Sequence, residues 1–182
     1  MTGRHAAPSA GPRAHSPVWG RLAAGALVLL VLSVIGVLPV QLVRVAAGSM
    51  APTLDDGETV LVLRWPVSVD RWDVVVATPA GPGAEPVVKR VVALGGQSVA
   101  IEDGALVVDG GTVCEPWSDP AHLDGVWFGQ VRIPEGSVFL LGDERDGSVD
   151  SRVFGAVGED RVAGVVVAGA WPLPHALPTT PC

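Results

Sequence analysis

Pro86-Val87-Val88-Lys89-Arg90-Val91-Val92-Ala93-Leu94 is the stretch that sets the fold class. It is rich in β-branched residues and is closed off by Gly81-Pro82-Gly83 before it and Gly95-Gly96 after it, the punctuation of a strand. Comparable valine-rich runs recur on both sides: Glu58–Arg64, Asp73–Thr78, Gln97–Glu102, Ala105–Val108, Ser137–Leu141 and Arg161–Ala168. Asp103-Gly104 between two of them is a tight hairpin signal. Gly95-Gly96 lacks the Gly-Lys-Ser/Thr sequel of a phosphate loop and reads as a turn. No helical period follows residue 44, so the domain is expected to be mostly β.

The same stretch holds the only lysine of the chain, since the other 11 of its 12 basic residues are arginine. Arginine keeps its proton at any useful pH, whereas a desolvated lysine becomes a neutral amine able to act as a base. Side chains alternate along a strand, so Lys89 is expected to share a face with Val87, Val91 and Ala93, and Arg90 with Val88 and Val92. An inward Lys89 without chemistry would be costly to bury. At a sheet edge it would instead snorkel to solvent.

Charge divides the chain. Residues 1–44 carry four arginines and no acid, a formal +4; residues 45–182 carry eight basic and 19 acidic residues, a formal −11, which together make the net −7. An acidic domain of this kind has no basic stripe for phosphates, which argues against nucleic acid as a partner. Leu22–Val43 is uncharged over 22 residues. As a helix it would span about 33 Å, enough for a hydrocarbon layer of about 30 Å. It exceeds the roughly 7–15 apolar residues of a cleaved signal peptide. Residues 18–44 are therefore expected to form a membrane anchor after a disordered cytoplasmic tail, 1–17. The arginines ahead of the anchor place the N-terminus in the cytoplasm and the domain of residues 45–171 outside it. Residues 172–182, with four prolines, are expected to wander over the surface.

Ser49 lies in Gly48-Ser49-Met50-Ala51-Pro52-Thr53, six residues after the anchor. At about 3.3 Å per residue it stays within about 20 Å of the membrane exit. Gly48 permits a sharp approach of the backbone, and Pro52 fixes the turn that follows. A third cluster runs from Gly142-Asp143-Glu144-Arg145 through Ser148-Val149-Asp150-Ser151-Arg152 to Phe154-Gly155. By itself it reads as a charged turn that caps its own backbone. Functionally, Ser148 would orient the lysine amine while Asp150 and Arg152 pair beside it.

Ser-Met-x-Pro-Thr after a membrane helix, Lys-Arg in a valine strand, and Gly-Asp…Ser-x-Asp-Ser-Arg-x-Phe-Gly together resemble, in order and spacing, the type I signal peptidases. The resemblance covers the anchor and most of residues 46–155. It implies a membrane-anchored, β-barrel-like catalytic domain with a small accessory β segment. The implied activity is a serine endopeptidase that removes signal peptides from exported preproteins after small residues at positions −1 and −3. It further implies Ser49 as nucleophile, Lys89 as general base, Ser148 as the positioning hydroxyl, Asp150 with Arg152 and Asp143 as support, and the Ser49 backbone N–H in the oxyanion hole. Met50, Pro52 and Val91 are expected to line the substrate pocket. No cofactor or metal is implied; the partners are preproteins and the lipid bilayer, and the chain is expected to be monomeric. A narrower client set, such as pilus or conjugation proteins, and a non-catalytic tethered β-domain are the alternatives.

Two departures stand out: Glu144 replaces the family's usual Asn, and Ala47 stands where some members use a serine hydroxyl. No Gly-x-Ser-x-Gly elbow is present for a histidine-dependent triad, and His5, His15, His122 and His175 are scattered. Cys114 and Cys182 both fall on the external side, where a disulfide is permitted; the sequence leaves their pairing open. Trp65 and Trp72 bracket a short loop and fit either core packing or the headgroup region.

Overall fold

The computed structural model describes residues 22, 25–31, 40–64, 68–118 and 127–182. The chain divides into two units, Met1–Leu38 and Pro39–Cys182. In the first, the described residues are helical and exposed. No helix among the described residues is long and apolar enough to cross a membrane. The expected tail and most of the expected anchor lie outside the described residues. The last part of that span departs from expectation: Val40–Arg44 is a strand, β1, rather than the end of a helix. Pro39 ahead of it has no N–H for a helical hydrogen bond, and the β-branched Val40 and Val43 suit the extended chain.

In the second unit β1 pairs antiparallel with β2, Thr59–Arg64, from Val40 opposite Leu63 to Arg44 opposite Thr59. The following strands are β3 (Val74–Ala77), β4 (Val87–Leu94), β5 (Ser98–Glu102), β6 (Ala105–Val108), β7 (Gly111–Thr112) and β8 (Phe128–Arg132). After them come β9 (Ser137–Leu141), a four-residue helix Ser151–Phe154, β10 (Val157–Gly158) and β11 (Val162–Trp171). Seven of these strands form one sheet in the order β1-β2-β11-β3-β4-β9-β10. Its edges are β1 and β10, and among the described residues no hydrogen bonding closes it into a barrel. The insertion between β4 and β9 makes a second, four-stranded sheet, β7-β6-β5-β8. The Asp103-Gly104 turn has positive φ at both residues (49° and 77°), which matches the right-handed twist of the β5–β6 hairpin.

Valine decides the packing. Along β3 all four residues are buried, Val74 and Val76 against Val60, Val62 and Val166, and Val75 against Val91, Leu140 and Val165. A strand buried on both faces cannot show the apolar–polar alternation of a half-exposed one. A bulge in β4 between Val91 and Ala93 breaks the expected alternation, so Ala93 packs with Val92 in a cluster apart from Val91. Trp72 is a core residue, its ring 5.4 Å from that of Trp117, which removes it from any membrane surface; Trp65 lies outside the described residues.

Residues 172–182 do not wander. Cys182 is bonded to Cys114 across a sequence separation of 68, a closure worth roughly 4 kcal/mol on the loop-entropy argument. Arg90 also donates to the Pro178 carbonyl at 2.7 Å.

Candidate active site

Three segments far apart in sequence meet at Lys89. The β4 strand is interior to the large sheet, between β3 and β9, with Lys89 opposite Val75, and Lys89 is only 3% exposed. Its Nζ donates to Ser49 Oγ at 2.6 Å and to Ser148 Oγ at 3.1 Å. Burial is the main reason its pKa lies below the ordinary lysine value of 10.5, and Arg152 adds to it against the opposing pull of Asp150 and Asp143. An amine with two hydroxyl neighbours and little water is suited to hold or release one proton near the serine oxygen.

Ser49 sits on a tight turn, with Ala51 N donating to Gly48 O at 3.0 Å and Leu54 N to Met50 O at 2.9 Å. From the other side, Glu144 N donates to Ser49 O at 3.2 Å. That contact uses the backbone, so a glutamate in place of the usual asparagine leaves it available. Ala47 takes φ 83° and its N–H is held by Asp56 Oδ1 at 2.9 Å; its methyl side chain offers no donor to an oxyanion.

Asp150 organises the Gly142–Gly155 loop. Its Oδ1 accepts from Arg152 Nε at 2.8 Å and from Arg152 N at 3.1 Å, and its Oδ2 from Arg152 Nη2 at 2.8 Å and Gly142 N at 3.2 Å. Burial by itself would raise the Asp150 pKa, but the Arg152 guanidinium and the two amides outweigh it and hold the carboxyl below its ordinary range. Arg152 Nη2 reaches on to the Arg145 carbonyl at 2.9 Å, which ties the loop to its own helix. Ser151 Oγ accepts from Leu140 N at 2.9 Å and so fastens that helix to β9.

Asp143 has a different partner from Lys89. It accepts from Arg90 Nε and Nη2 at 2.8 and 2.7 Å and from Thr53 Oγ1, with the guanidinium 4.1 Å from the Trp117 ring centroid. Arg90 is wholly buried, and a further ion pair joins buried Arg145 to the half-buried Glu115. None of Arg90, Glu115 and Arg145 was singled out from sequence. Their partners are 53 and 30 positions away, a distance no local pattern spans.

A cleft of about 310 Å³ opens beside Ser49 and Lys89. Val43, Arg44, Val45, Ala46 and Ala47 line it together with Val76, Pro86, Val87, Val88, Gly147 and Val149. Met50, Pro52 and Val91 do not line it. Met50 is fully buried among Val45, Leu54 and Val60, Val91 is fully buried with Val75 and Leu140, and Pro52 faces solvent. The alternation that turns Lys89 to the site leaves Val91, two residues on, beneath it in the core.

Residues 18–171 match the model of the family described as signal peptidase, peptidase S26. The chain belongs to that family. It is 32% identical over 138 residues to signal peptidase I V of Bacillus subtilis (strain 168), covering 68% of this chain and 81% of that one. It is 31% identical over 165 residues to signal peptidase IB of Staphylococcus aureus (strain Mu50 / ATCC 700699), covering 81% and 86%. Among solved structures it is similar to a signal peptidase I from Enterococcus faecalis V583, with 29% identity, 54% of this chain and 97% of that chain covered, and a TM-score of 0.49. Membership in the signal peptidase family makes the chain an endopeptidase, a hydrolase of peptide bonds.

In this signal peptidase the close approach of the two loops depends on Gly142, where a Cβ would overlap Ser148 Oγ and the Ser49 carbonyl. Gly142→Ala is therefore expected to shift Ser148 and Ser49 away from Lys89 and to lower kcat by about 10²-fold. Turnover measured beside the circular dichroism spectrum checks this: an unchanged rate would show that the loops have room to spare.

Proposed function

We propose that this chain is a membrane-anchored signal peptidase that works through a Ser49/Lys89 dyad. The observation that carries the reading is the 2.6 Å contact between Ser49 Oγ and the Nζ of a lysine that is 3% exposed. Neutral Lys89 takes the proton from Ser49 Oγ as that oxygen attacks the scissile carbonyl. The Ser49 N–H holds the oxyanion, and the Lys89 ammonium returns its proton to the leaving amine. Water, activated by the again neutral Lys89, then releases the acyl group. Ser148 keeps the amine aimed at Ser49, while Asp150 and Arg152 fix the loop that carries Ser148. Small residues at −1 and −3 suit a shallow cleft walled by Val45, Ala47, Val76 and Val88.

The uncharged span Leu22–Val43 anchors the chain, with three arginines, Arg4, Arg13 and Arg21, and no acid ahead of it keeping the N-terminus cytoplasmic and the acidic domain outside. Its partners are exported preproteins and the bilayer. Client range is tested by depletion, since a general peptidase leaves many preproteins uncut and a specialised one only its own clients.

The mechanism predicts a pH profile. A base must be neutral to act, so kcat/KM rises with pH and levels off once free Lys89 has lost its proton. Because Lys89 is held below 10.5, the midpoint of that limb is expected below 10.5. Initial rates on a preprotein across pH 5 to 11 measure it, and a rate still climbing past 10.5 would count against Lys89 as the base.

A further inference from the structure

Residues 172–182 lie beyond the stretch that matches the family, which ends at residue 171. They are fastened to the loop that carries Ser49. His175 exchanges backbone hydrogen bonds with Gly169, and a Cβ at Gly169 would overlap the His175 ring and Glu58 Oε1. Acceptors surround that ring: Nε2 lies 3.3 Å from the Thr53 carbonyl, and Nδ1 lies 3.2 Å from the Leu173 carbonyl and 3.4 Å from Glu58 Oε1. Both nitrogens facing acceptors is the arrangement of an imidazolium. Glu58 is a buried carboxylate whose Oε1 has no hydrogen-bond partner, while its Oε2 accepts from Asp55 N at 3.0 Å. Leu177 packs on the cluster that contains Met50 and Leu54, which follow Ser49 in the same turn. Pro178 O takes the bond from buried Arg90, the neighbour of Lys89 in β4. Beyond it, Cys182 closes the path on Cys114, and both cysteines are exposed to solvent.

We propose that residues 172–182 are a strap that holds the Ser49 loop in register with Lys89, and that the Cys114–Cys182 disulfide is its latch. The inference rests on the reading of Ser49 and Lys89 as the reacting pair. It makes His175 and Pro178 positioning residues, acting through Thr53, Glu58 and Arg90. Release is reductive: a dithiol gives two electrons and two protons to the two sulfurs, the S–S bond breaks to two thiols, and the dithiol closes to its own cyclic disulfide. The chain has two cysteines in all, so no other pair can answer to the reagent.

The test uses the full chain in detergent, either oxidised or reduced with dithiothreitol and alkylated, beside the Cys114→Ser/Cys182→Ser variant with and without dithiothreitol. Release is expected to lower kcat about tenfold with KM within about twofold, since it disturbs the reacting pair and leaves the cleft walls in place. Amide hydrogen exchange in residues 49–58 is expected to quicken about tenfold on reduction, a readout that needs no turnover. The double variant should match the reduced protein and ignore dithiothreitol. Unchanged exchange on reduction overturns the strap, and quickened exchange with an unchanged kcat overturns its positioning role. Quickened exchange in a protein whose oxidised form cleaves nothing supports the strap while removing the dyad reading beneath it.

Discussion

Replacing Lys89 with arginine is expected to remove peptidase activity by at least about 10³-fold, the loss that follows when a general base is taken from its nucleophile. Arginine keeps the charge and much of the bulk but cannot become a neutral base. The planar guanidinium also fails to reproduce the two hydroxyl contacts of Nζ, at 2.6 and 3.1 Å. The effect is expected in kcat, because Val45, Ala47, Val76 and Val88 of the proposed substrate cleft are left in place. Ser49→Ala should lose as much, and the double variant little more, since residues that act as a unit give non-additive losses. Turnover at saturating and limiting substrate for the three variants measures this.

The second large effect is on stability. Arg90 and Asp143 are each about 1% exposed and share a bidentate contact, with Thr53, the Trp72 and Pro178 carbonyls and the Trp117 ring around them. Breaking a buried pair from one side leaves an uncompensated charge and costs about 3–5 kcal/mol. Arg90→Leu is therefore expected to lower Tm by roughly 10 °C. Arg90→Leu/Asp143→Leu should be less destabilised than the sum of the single changes, because neither charge is then stranded. Thermal unfolding of the two single variants and the double closes the cycle; strict additivity would show that the two side chains do not depend on each other.

Much of the large sheet was legible because β-branched runs end at Gly, Pro and Asp turns, which is why β2, β3, β4, β9 and β11 fall within a few residues of expectation. Four strands were hidden: β7 and β10 have two residues each, too few to make a pattern, and two longer ones escaped for other physical reasons. β1 continues an uncharged apolar span, so nothing in its composition marks where a helix gives way to a strand. β8, Phe128-Gly129-Gln130-Val131-Arg132, is mostly exposed and carries a glycine, so it lacks the valine density that marked the others. In the site, Ser49, Lys89, Ser148, Asp150 and Arg152 could be picked out by local spacing and resemblance. Arg90 could not: its neighbour Lys89 drew the chemical argument, and its partner Asp143 is 53 residues away. Met50 misled because adjacency to Ser49 in sequence was read as adjacency to the cleft, whereas the turn sends its side chain into the core. The hold on residues 172–182 depends on a disulfide and on isolated carbonyl contacts, neither of which proline content reveals.

The measurement that bears most directly on the account is cleavage of a preprotein with an Ala-x-Ala site by the detergent-purified full chain, with the product's N-terminus sequenced, for wild type and Lys89→Arg side by side. The account predicts a single cut after the second alanine by the wild type and none by the variant over the same time. Equal cleavage by both would contradict it.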